Sequence, residues 1–583
     1  MRNSHSFRIP AALTVLFFLA TLLPAQAQTT SSPPTIDDAI AAIRAYAPQA
    51  LREQGAPGMS VAITDRTQTL AIITVGMADV ASKTPVTADT RFPIGSISKS
   101  MTTLALLQLH DRGLVDLDAR VQRYLPSWSI HSNGVPILVH QLLSHTAGIP
   151  DDYTVEQYGY AIAALRNAHT LFTPGTQWSY SNDGFATVGA IVAAVSHTTW
   201  QSDIENHVFA PIGMTHSSAI FDDRTLSDAA TGYQFRDGDY VATPPNPVLI
   251  PSPYVDFVDP AGSIISTPGD MAAYLRLYLN GGKTASGVQL ISPASFAAMT
   301  TADHFNNGAP DVAKDVELAE WPAFYHEYGY GLSIFHTDGD HLVGHTGGVS
   351  GYTACFQANL TRGFGAIALS NLVEAPLHPC AIVKYAMAVL RAQSLGQALP
   401  QPPNGPPIPP PAIVSSDYVG AYHMTGGNSV EVTDAHGTLA LTDAGRTYRL
   451  VAQGHDMFWT DDPRFTIYYV AFERNKAKAV DGFTNAGMYY VNSRHTGPTT
   501  FPHPASWNAL TGRYETSIFG SALVMRIVIV KGGLTVDGLQ HLRPSANGTF
   551  ALGPSVVRFD TPFEGKMQRL WLDGADLYRI ELP

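Results

Sequence analysis

The chain has 583 residues, more than one hydrophobic core usually serves, so we expect two or three domains. Hydrophobic residues make up 45% and charged residues 14%, which is globular composition and excludes a long disordered or collagen-like tract. The formal net charge is -13, and no run of Lys and Arg supplies the cationic surface that nucleic-acid binding needs. A small-molecule or short-peptide substrate is therefore favoured over a nucleic-acid partner.

The N-terminal 27 residues follow the order of a cleavable secretory signal. Arg2 and Arg8 precede an apolar run over 11–23, and Ala-Gln-Ala at 25–27 follows it as a small-residue cleavage site. The run is shorter than the ~20 residues that cross a bilayer, and no later stretch approaches that length. We predict cleavage near Ala27 and a mature protein that is secreted or periplasmic in a bacterium, without a membrane span.

Apolar periodicity predicts a mixed domain along the first two thirds of the chain. Helices are expected at 36–53, from 96 onward, and at 183–197, 268–280 and 378–394. Strands are expected at 59–64, 70–75, 341–344, 352–358 and 364–370. Helices would then flank a mostly antiparallel sheet whose strands come from both ends of this region.

Residues 399–412 are predicted to be a stiff linker, because their many prolines cannot donate backbone hydrogen bonds to a helix or a central strand. Helical periodicity largely disappears beyond it, and short strands with Gly and Asp turns occur in two similar stretches, 413–503 and 504–583. The two stretches are expected to be β domains that arose by duplication. They are either a scaffold or, through a loop such as 426–428, a size screen for substrates.

Ser96 and Lys99 are the candidate nucleophile and general base. A serine hydroxyl needs a base beside it at neutral pH, and a spacing of three places both side chains on one helix face. Free N–H groups at the start of that helix would stabilise a developing oxyanion. Lys99 can act as a base only where burial or nearby positive charge disfavours its ammonium form. The pattern also fits a helix cap and a solvated lysine, although Ser96 is the only serine three residues ahead of a lysine.

Tyr180 and Asn182 form a second candidate element, between a Pro-Gly turn and the helix predicted from 183. They bracket one residue, so in an extended turn both side chains point the same way. A phenol near an ammonium can pass a proton to a leaving group, and an amide can hold a substrate carbonyl and the lysine together. Tyr-x-Asn also begins at Tyr278 and Tyr490, so only the turn before it and the helix after it distinguish this copy.

The third candidate element is a strand that runs into a glycine-rich turn and contains His345, Thr346, Gly347 and Gly348. Small residues would let a substrate lie along the strand edge, and the Gly348 amide could pair with the Ser96 amide as an oxyanion hole. His-Thr-Gly recurs at His495, so the segment taken alone also fits a structural histidine.

In this order the three elements resemble the serine β-lactamase and penicillin-binding protein superfamily, whose signatures include Ser-x-x-Lys and Lys-Thr-Gly. Tyr-x-Asn as the middle motif is typical of the class C branch, and the stretches 139–148 and 260–271 look like this branch too. The resemblance covers roughly residues 36–394. It implies an α+β, β-lactamase/transpeptidase-like domain over 28–398, with an antiparallel sheet flanked by helices plus an all-helical region. The strand pattern beyond the linker predicts that two small antiparallel β-barrel or sandwich domains follow it.

The resemblance also implies the roles of the candidate residues. Ser96 would be acylated, Lys99 and Tyr180 would transfer protons, and Asn182 would orient the substrate. The amides of Ser96 and Gly348 would bind the oxyanion. No metal and no cofactor is implied, and the oligomeric state is not predicted.

His345 departs from the family pattern, because it stands where the family usually has the lysine of Lys-Thr-Gly. A fixed positive charge for a substrate carboxylate is thereby replaced by a group expected to titrate near neutrality. A histidine here, together with C-terminal barrels, is similar to the D-aminopeptidase and esterase members of the superfamily. Small esters and D-amino-acid amides are therefore the preferred substrate class, with β-lactams as a further candidate.

Cys355 and Cys380 are the only two cysteines. An oxidising compartment would let them pair, and two buried thiols are the alternative. Without a supporting cluster of His and Cys they do not make a zinc site.

The sequence lacks the motifs of three other enzyme classes, namely α/β-hydrolases, zinc metallohydrolases and nucleotide-binding enzymes. Gly-x-Ser-x-Gly, His-Glu-x-x-His and the full phosphate-binding pattern Gly-x-x-x-x-Gly-Lys-Ser/Thr are all absent from the sequence. The remaining rival is a recognition or sensor protein that keeps the fold without turnover. The presence of Ser96, Lys99 and Tyr180 together favours catalysis, because a pure binding protein does not need all three.

Overall fold

A computed structural model gives the conformation of most of the chain. It describes residues 33–150, 158–221, 228–235, 249–252, 259–305, 327–373, 379–403, 415–435, 438–454, 456–460, 465, 469–485, 487–518, 521–536, 538, 540–545, 548–552, 555–572 and 575–580. The predicted signal peptide and most of the predicted linker lie outside these residues.

The helices of the described residues all precede the predicted linker, apart from short 3₁₀ turns. They are α1 (Ile36–Gln54), α2 (Ser98–Asp111), α3 (Val139–Leu143), α4 (Tyr158–Ala164), α5 (Asn182–Ser196), α6 (Trp200–Ile204), α7 (Ala210–Ile212), α8 (Pro268–Leu279), α9 (Pro293–Thr300) and α10 (Cys380–Ser394). Short 3₁₀ turns lie at Gly95–Ile97, Val121–Arg123, Leu165–Asn167, Ser415–Asp417 and Ala505–Ala509, and Glu205–Phe209 is a π-helical turn.

Nine strands form an antiparallel sheet: β1 (Gly58–Asp65), β2 (Thr69–Asp79), β3 (Thr84–Pro85), β8 (His304–Phe305), β9 (Glu327–Tyr328), β10 (Ser333–Thr337), β11 (Asp340–Val349), β12 (Tyr352–Asn359) and β13 (Phe364–Ser370). Their order across the sheet is β3-β2-β1-β13-β12-β11-β10-β9-β8. Two short ribbons pair β4 (Phe92–Pro93) with β7 (Ile265–Ser266) and β5 (Tyr233–Phe235) with β6 (Leu249–Pro251).

The sheet is buried on both faces, because alternate side chains of a strand point to opposite sides. In β13, Ile367 and Leu369 enter the core that α2, α5 and α8 cover, whereas Ala366 and Ala368 enter the core that α1 and α10 cover. The first strand β1 pairs directly with β13, so the two ends of this region meet in the middle of the sheet. The predicted arrangement of helices around an antiparallel sheet is confirmed.

A disulfide joins Cys355 of β12 to Cys380, the first residue of α10, with the Cα atoms 5.2 Å apart. It attaches α10 to the sheet on the face that α1 also covers. Cys355 lies opposite Thr346 in the ladder, so this covalent link is one strand away from the His345–Gly348 segment.

Beyond residue 415 the described chain is almost entirely β structure. A closed barrel contains β14 (Gly420–Met424), β15 (Ser429–Ala435), β16 (Thr438–Asp443), β17 (Arg446–Gly454), β18 (Met457–Thr460), β19 (Val470–Arg474), β20 (Val480–Asn485) and β21 (Met488–Val491). A second, nine-stranded sheet contains β22 (Gly512–Ile518), β23 (Ser521–Val530), β24 (Gly533–Val536), β25 (Gln540–His541), β26 (Arg543–Pro544), β27 (Phe550–Leu552), β28 (Ser555–Phe563), β29 (Lys566–Leu572) and β30 (Ala575–Ile580).

The two C-terminal units share more than their strand content. The edge strands of the second sheet, β25 and β26, are neighbours in sequence, so this sheet curls into a nearly closed barrel. In each unit one buried tyrosine donates its hydroxyl to the carbonyl four residues earlier, Tyr422 to Tyr418 at 2.7 Å and Tyr514 to Leu510 at 2.8 Å. The predicted α+β fold class with two C-terminal β domains is confirmed. The domain boundaries themselves, and the duplication, stay predictions.

Candidate active site

Ser96 lies in the 3₁₀ turn Gly95–Ile97, immediately before α2. The α-helix therefore begins at Ser98, two residues later than the sequence predicted. Gly95 has a φ of 53°, a left-handed conformation that glycine adopts without steric cost. The turn holds Ser96 partly exposed, whereas its neighbours Gly95 and Ile97 are buried.

Lys99 is fully buried one turn further on, with 0% of its surface exposed. Its Nζ atom lies 3.1 Å from the Oγ atom of Ser96. The same nitrogen donates to the Oδ1 atom of Asn182 at 2.6 Å and to the carbonyl of Ala261 at 2.9 Å. Three oxygen atoms thus fix the Nζ atom beside the serine hydroxyl, so the alternative of a solvated lysine is wrong.

Tyr180 and Asn182 lie beside Lys99 at the chain segment that leads into α5. Asn182 is the first residue of α5, which Ser181 caps by accepting a hydrogen bond from the Gly184 amide at 2.9 Å. The ring centre of Tyr180 lies 4.8 Å from Lys99 Nζ. The helix start thus places the amide of Asn182 on the lysine and the Tyr180 ring beside it.

The strand β11 crosses the Ser96 turn at van der Waals contact. A Cβ atom built on Gly347 would lie 1.9 Å from the Ile94 carbonyl oxygen and 3.3 Å from the Ser96 amide nitrogen. A Cβ atom built on Gly95 would lie 2.6 Å from the Gly348 amide nitrogen. The Ser96 and Gly348 amides, predicted to form the oxyanion hole, therefore lie where the turn and the strand pass each other. The two backbones can approach this closely only because Gly95 and Gly347 have no side chain.

His345 is buried and neutral, so the prediction that it titrates near neutrality is wrong. None of its surface is exposed, and burial lowers the pKa of its imidazole to about 3, with a smaller lowering from the charge of Lys99. Its Nδ1 atom donates to the Thr346 carbonyl, so its Nε2 atom accepts the hydroxyl of Tyr328 at 2.9 Å. The residue supplies no positive charge to a substrate at neutral pH.

The burial of His345 predicts a loss of stability in acid. In the unfolded chain its pKa returns to ~6.5, so between pH 6.5 and pH 3 only the unfolded state carries the proton. Proton uptake by His345 in the unfolded chain should therefore lower the free energy of unfolding by about 1.4 kcal/mol for each unit that the pH falls between these two values. Thermal midpoints measured from pH 7 to pH 4 should fall less steeply in His345→Asn, in which the amide keeps a donor near the Thr346 carbonyl.

The matched control for that measurement is His197→Asn, at an exposed residue that caps α5 in a left-handed conformation. Asparagine adopts this conformation readily, so the control changes a histidine without removing a buried one. An acid dependence in His345→Asn as steep as that of the parent protein would show that His345 is protonated in the folded state.

The family model named Beta-lactamase matches residues 37–382, which is more than half of the chain. The protein belongs to the Beta-lactamase family. The match extends over Ser96, Lys99, Tyr180, Asn182 and the segment 345–348.

Individual relatives of the Beta-lactamase family are distant. Penicillin-binding protein 4 of Amycolatopsis lactamdurans is 25% identical over 350 residues, covering 59% of this chain and 87% of its own. Protein flp of Staphylococcus aureus is 24% identical over 327 residues, covering 54% of this chain, which thus spans only 60% of flp. The octameric penicillin-binding protein homologue from Pyrococcus abyssi shares the fold at a TM-score of 0.53 and 24% identity, covering 78% of this chain and 100% of that one.

Sequence reasoning missed two residues of this Beta-lactamase site. Ala261 contributes only its backbone carbonyl to Lys99, and no side-chain pattern announces such a contact. His145 packs its ring on Tyr180, with the ring centres 4.3 Å apart. Both lie in the stretches 139–148 and 260–271, where the sequence indicated a likeness to the family but assigned no role to either residue.

The described residues contain no group of three metal-ligating side chains arranged to hold an ion. No helix among them is long and apolar enough to cross a bilayer.

Proposed function

We propose that the protein is a secreted or periplasmic serine hydrolase whose reaction passes through an acyl-enzyme on Ser96. Its substrates are small esters and D-amino-acid amides or short peptides. The observation that carries the proposal is the buried Lys99 amine 3.1 Å from the Ser96 hydroxyl. A serine beside a desolvated amine is the arrangement that activates this nucleophile. The N-terminal sequence supports export.

Acylation would begin with attack of Ser96 Oγ on the substrate carbonyl carbon. In the neutral form of Lys99, Nζ accepts the serine proton while the new C–O bond forms. The negative charge then moves to the former carbonyl oxygen, where the amides of Ser96 and Gly348 can stabilise it. The carbonyl of Ala261 and the amide of Asn182 keep Nζ in place during this transfer.

Release of the leaving group requires a proton on the departing oxygen or nitrogen. Tyr180, whose ring centre is 4.8 Å from Nζ, is the group we assign to this transfer. Its phenol donates to the leaving group and recovers the proton from the Lys99 ammonium, which restores the neutral amine. Water then attacks the Ser96 ester by the same steps in reverse, giving the acid product and the free hydroxyl.

The preference for uncharged substrates rests on His345. Where the family places a lysine cation for a substrate carboxylate, this chain places an imidazole that is buried and neutral, with its pKa lowered to about 3. Esters and amides that have no carboxylate near His345 lose no binding energy when the lysine is replaced by a neutral imidazole. β-Lactams, whose carboxylate would meet no charge from this residue, are the weaker candidate.

Intact mass measurements test this substrate assignment. The parent protein and Ser96→Ala are exposed separately to a penicillin and to an activated short-chain ester, and the masses and ester turnover are recorded. We expect Ser96-dependent ester turnover and no stable penicillin adduct. A Ser96-dependent penicillin adduct would instead shift the assignment to penicillin binding or β-lactam hydrolysis.

A recognition or sensor protein is the alternative function. It would predict no Ser96-dependent reaction with either reagent. The buried lysine argues against it, because burying an amine is costly and a binding surface gains nothing from the cost.

A further inference from the structure

The segment that brings Tyr180 to the site has no regular secondary structure of its own, since residues 171–181 form only turns and extended chain. Several of its backbone amides instead donate to one other turn, residues 145–148, which we call the histidine turn. Four amides donate to it: Leu171 to the Gly148 carbonyl at 2.8 Å, Gly175 to the Thr146 carbonyl at 2.7 Å, Ser179 to the His145 carbonyl at 2.9 Å, and Ser181 to His145 Nδ1 at 3.0 Å.

His145 makes the two of these contacts that lie nearest to Tyr180. Its carbonyl binds the residue before Tyr180, and its Nδ1 atom binds the residue after it. Its ring packs on the Tyr180 ring at a centre-to-centre distance of 4.3 Å and an interplanar angle of 36°. One residue thus holds the backbone on both sides of Tyr180 and one face of its side chain.

The chemistry of His145 suits this contact. The ring is buried, with 2% of its surface exposed, and burial together with the charge of Lys99 lowers the pKa of the imidazole well below its usual range. It is therefore neutral at physiological pH, and Nδ1 has a lone pair to accept the Ser181 amide. A protonated ring could not accept that hydrogen bond. The backbone of His145 is left-handed, with a φ of 59°, which histidine and asparagine tolerate better than most residues.

We infer that His145 is a positioning residue for Tyr180: it fixes the phenol beside Lys99 by accepting hydrogen bonds from two backbone amides and by one ring contact, without touching the substrate. The inference rests on the proposed role of Tyr180 in proton transfer. Proton transfer depends steeply on donor–acceptor geometry, and a displacement of about 1 Å can lower a rate by up to about 100-fold.

Two substitutions test the hydrogen bond that the His145 side chain accepts from the Ser181 amide. His145→Gly and His145→Asn both accept the left-handed backbone, but only asparagine has an oxygen that can reach the Ser181 amide. Amide exchange of peptides spanning 176–182 should rise in His145→Gly and return part of the way in His145→Asn. Exchange in this segment unchanged by His145→Gly would overturn the inference whatever the protein catalyses.

A double-mutant cycle with Tyr180→Phe tests whether the effect on turnover passes through the phenol. Rates are normalised to the folded fraction of each variant, measured by circular dichroism, so that unfolded protein is not counted. In the parent background His145→Gly should lower kcat by roughly 10- to 100-fold with little change in KM, and His145→Asn should recover part of the loss. In the Tyr180→Phe background His145→Gly should change kcat by less than about threefold.

Equal losses in the two backgrounds would contradict the inference, because His145 would then act on Lys99 or on the fold as a whole. The proposed function fails separately, through turnover that survives Ser96→Ala. In that case the exchange measurement still decides whether His145 holds the Tyr180 segment.

Discussion

Ser96→Ala should abolish ester turnover, lowering kcat by about a thousandfold or more, because it removes the hydroxyl that we assign to the acyl-enzyme. Lys99→Met should cost a comparable factor, since it leaves the Ser96 hydroxyl without the base that lies 3.1 Å away. The double variant should be no slower than the slower single variant, because groups that act as one unit do not contribute additively. Steady-state kinetics with an activated short-chain ester measure all three variants.

Ser98→Ala is the matched control for the nucleophile. Ser98 is the same residue type two positions further on, at the first residue of α2, and its hydroxyl accepts a hydrogen bond from the Ile264 amide at 3.2 Å. The variant should lose about 1 kcal/mol of stability and keep its turnover. Turnover that persisted in Ser96→Ala at near the parent rate would assign the chemistry to another nucleophile and contradict the proposed function.

Much of the fold could be predicted from periodicity, because the relevant signals are local. The predicted helix over 36–53 is α1 at Ile36–Gln54, where Thr35 and Asp38 form a reciprocal cap and Gly55 ends the helix in a left-handed conformation. The predicted strand over 364–370 has the bounds of β13. Apolar character that repeats every two or every 3.6 residues is imposed by the elements themselves, so the sequence carries it directly.

The start of α2 was less predictable. Sequence spacing gives a helix that includes Ser96, yet the chain makes a 3₁₀ turn there, with Gly95 left-handed against Gly347. That geometry is set by β11, more than 240 residues further along the chain, and no local pattern near Ser96 contains it. The motif could therefore be found from spacing alone, but not its conformation.

The electrostatics of the site depend on burial, which sequence cannot supply. His345 was expected to titrate near neutrality because an isolated imidazole does. The structure encloses it between Tyr328 and the Thr346 carbonyl, and burial moves its pKa to about 3. Lys99 shows the opposite outcome, since the burial that its proposed role requires is present.

The role of the two C-terminal units stays a prediction. The loop 426–428, suggested as a substrate screen, belongs to the hairpin between β14 and β15 of the closed barrel. The barrel has its own aromatic core, built around Tyr422, Phe472 and Phe483, so it does not depend on the hydrolase domain for a hydrophobic interior. A self-contained core fits a scaffold as well as a screening module.

Gly347→Ala should inactivate the enzyme, whereas Gly348→Ala should not. A methyl group on Gly347 would lie 1.9 Å from the Ile94 carbonyl oxygen, so the Ser96 turn and β11 must move apart, whereas one on Gly348 meets no atom within 4 Å. Separating the two amides that flank this crossing should lower kcat/KM by roughly 100- to 1,000-fold, the cost of losing an oxyanion donor. Kinetics on the activated ester, with thermal midpoints to confirm folding, measure both.

The two variants add the same methyl group at adjacent positions of one strand. A difference in their activity therefore reports the position of the methyl group and not the change of glycine to alanine itself. The strain should also lower the stability of Gly347→Ala by about 1–3 kcal/mol, as in other overpacked sites. A Gly347→Ala enzyme as active as Gly348→Ala would mean that the Ser96 and Gly348 amides need not lie at a fixed separation. The oxyanion would then have to be stabilised by other donors. This result would contradict the assignment of these two amides as the oxyanion hole, but not the roles of Ser96 and Lys99 as nucleophile and base.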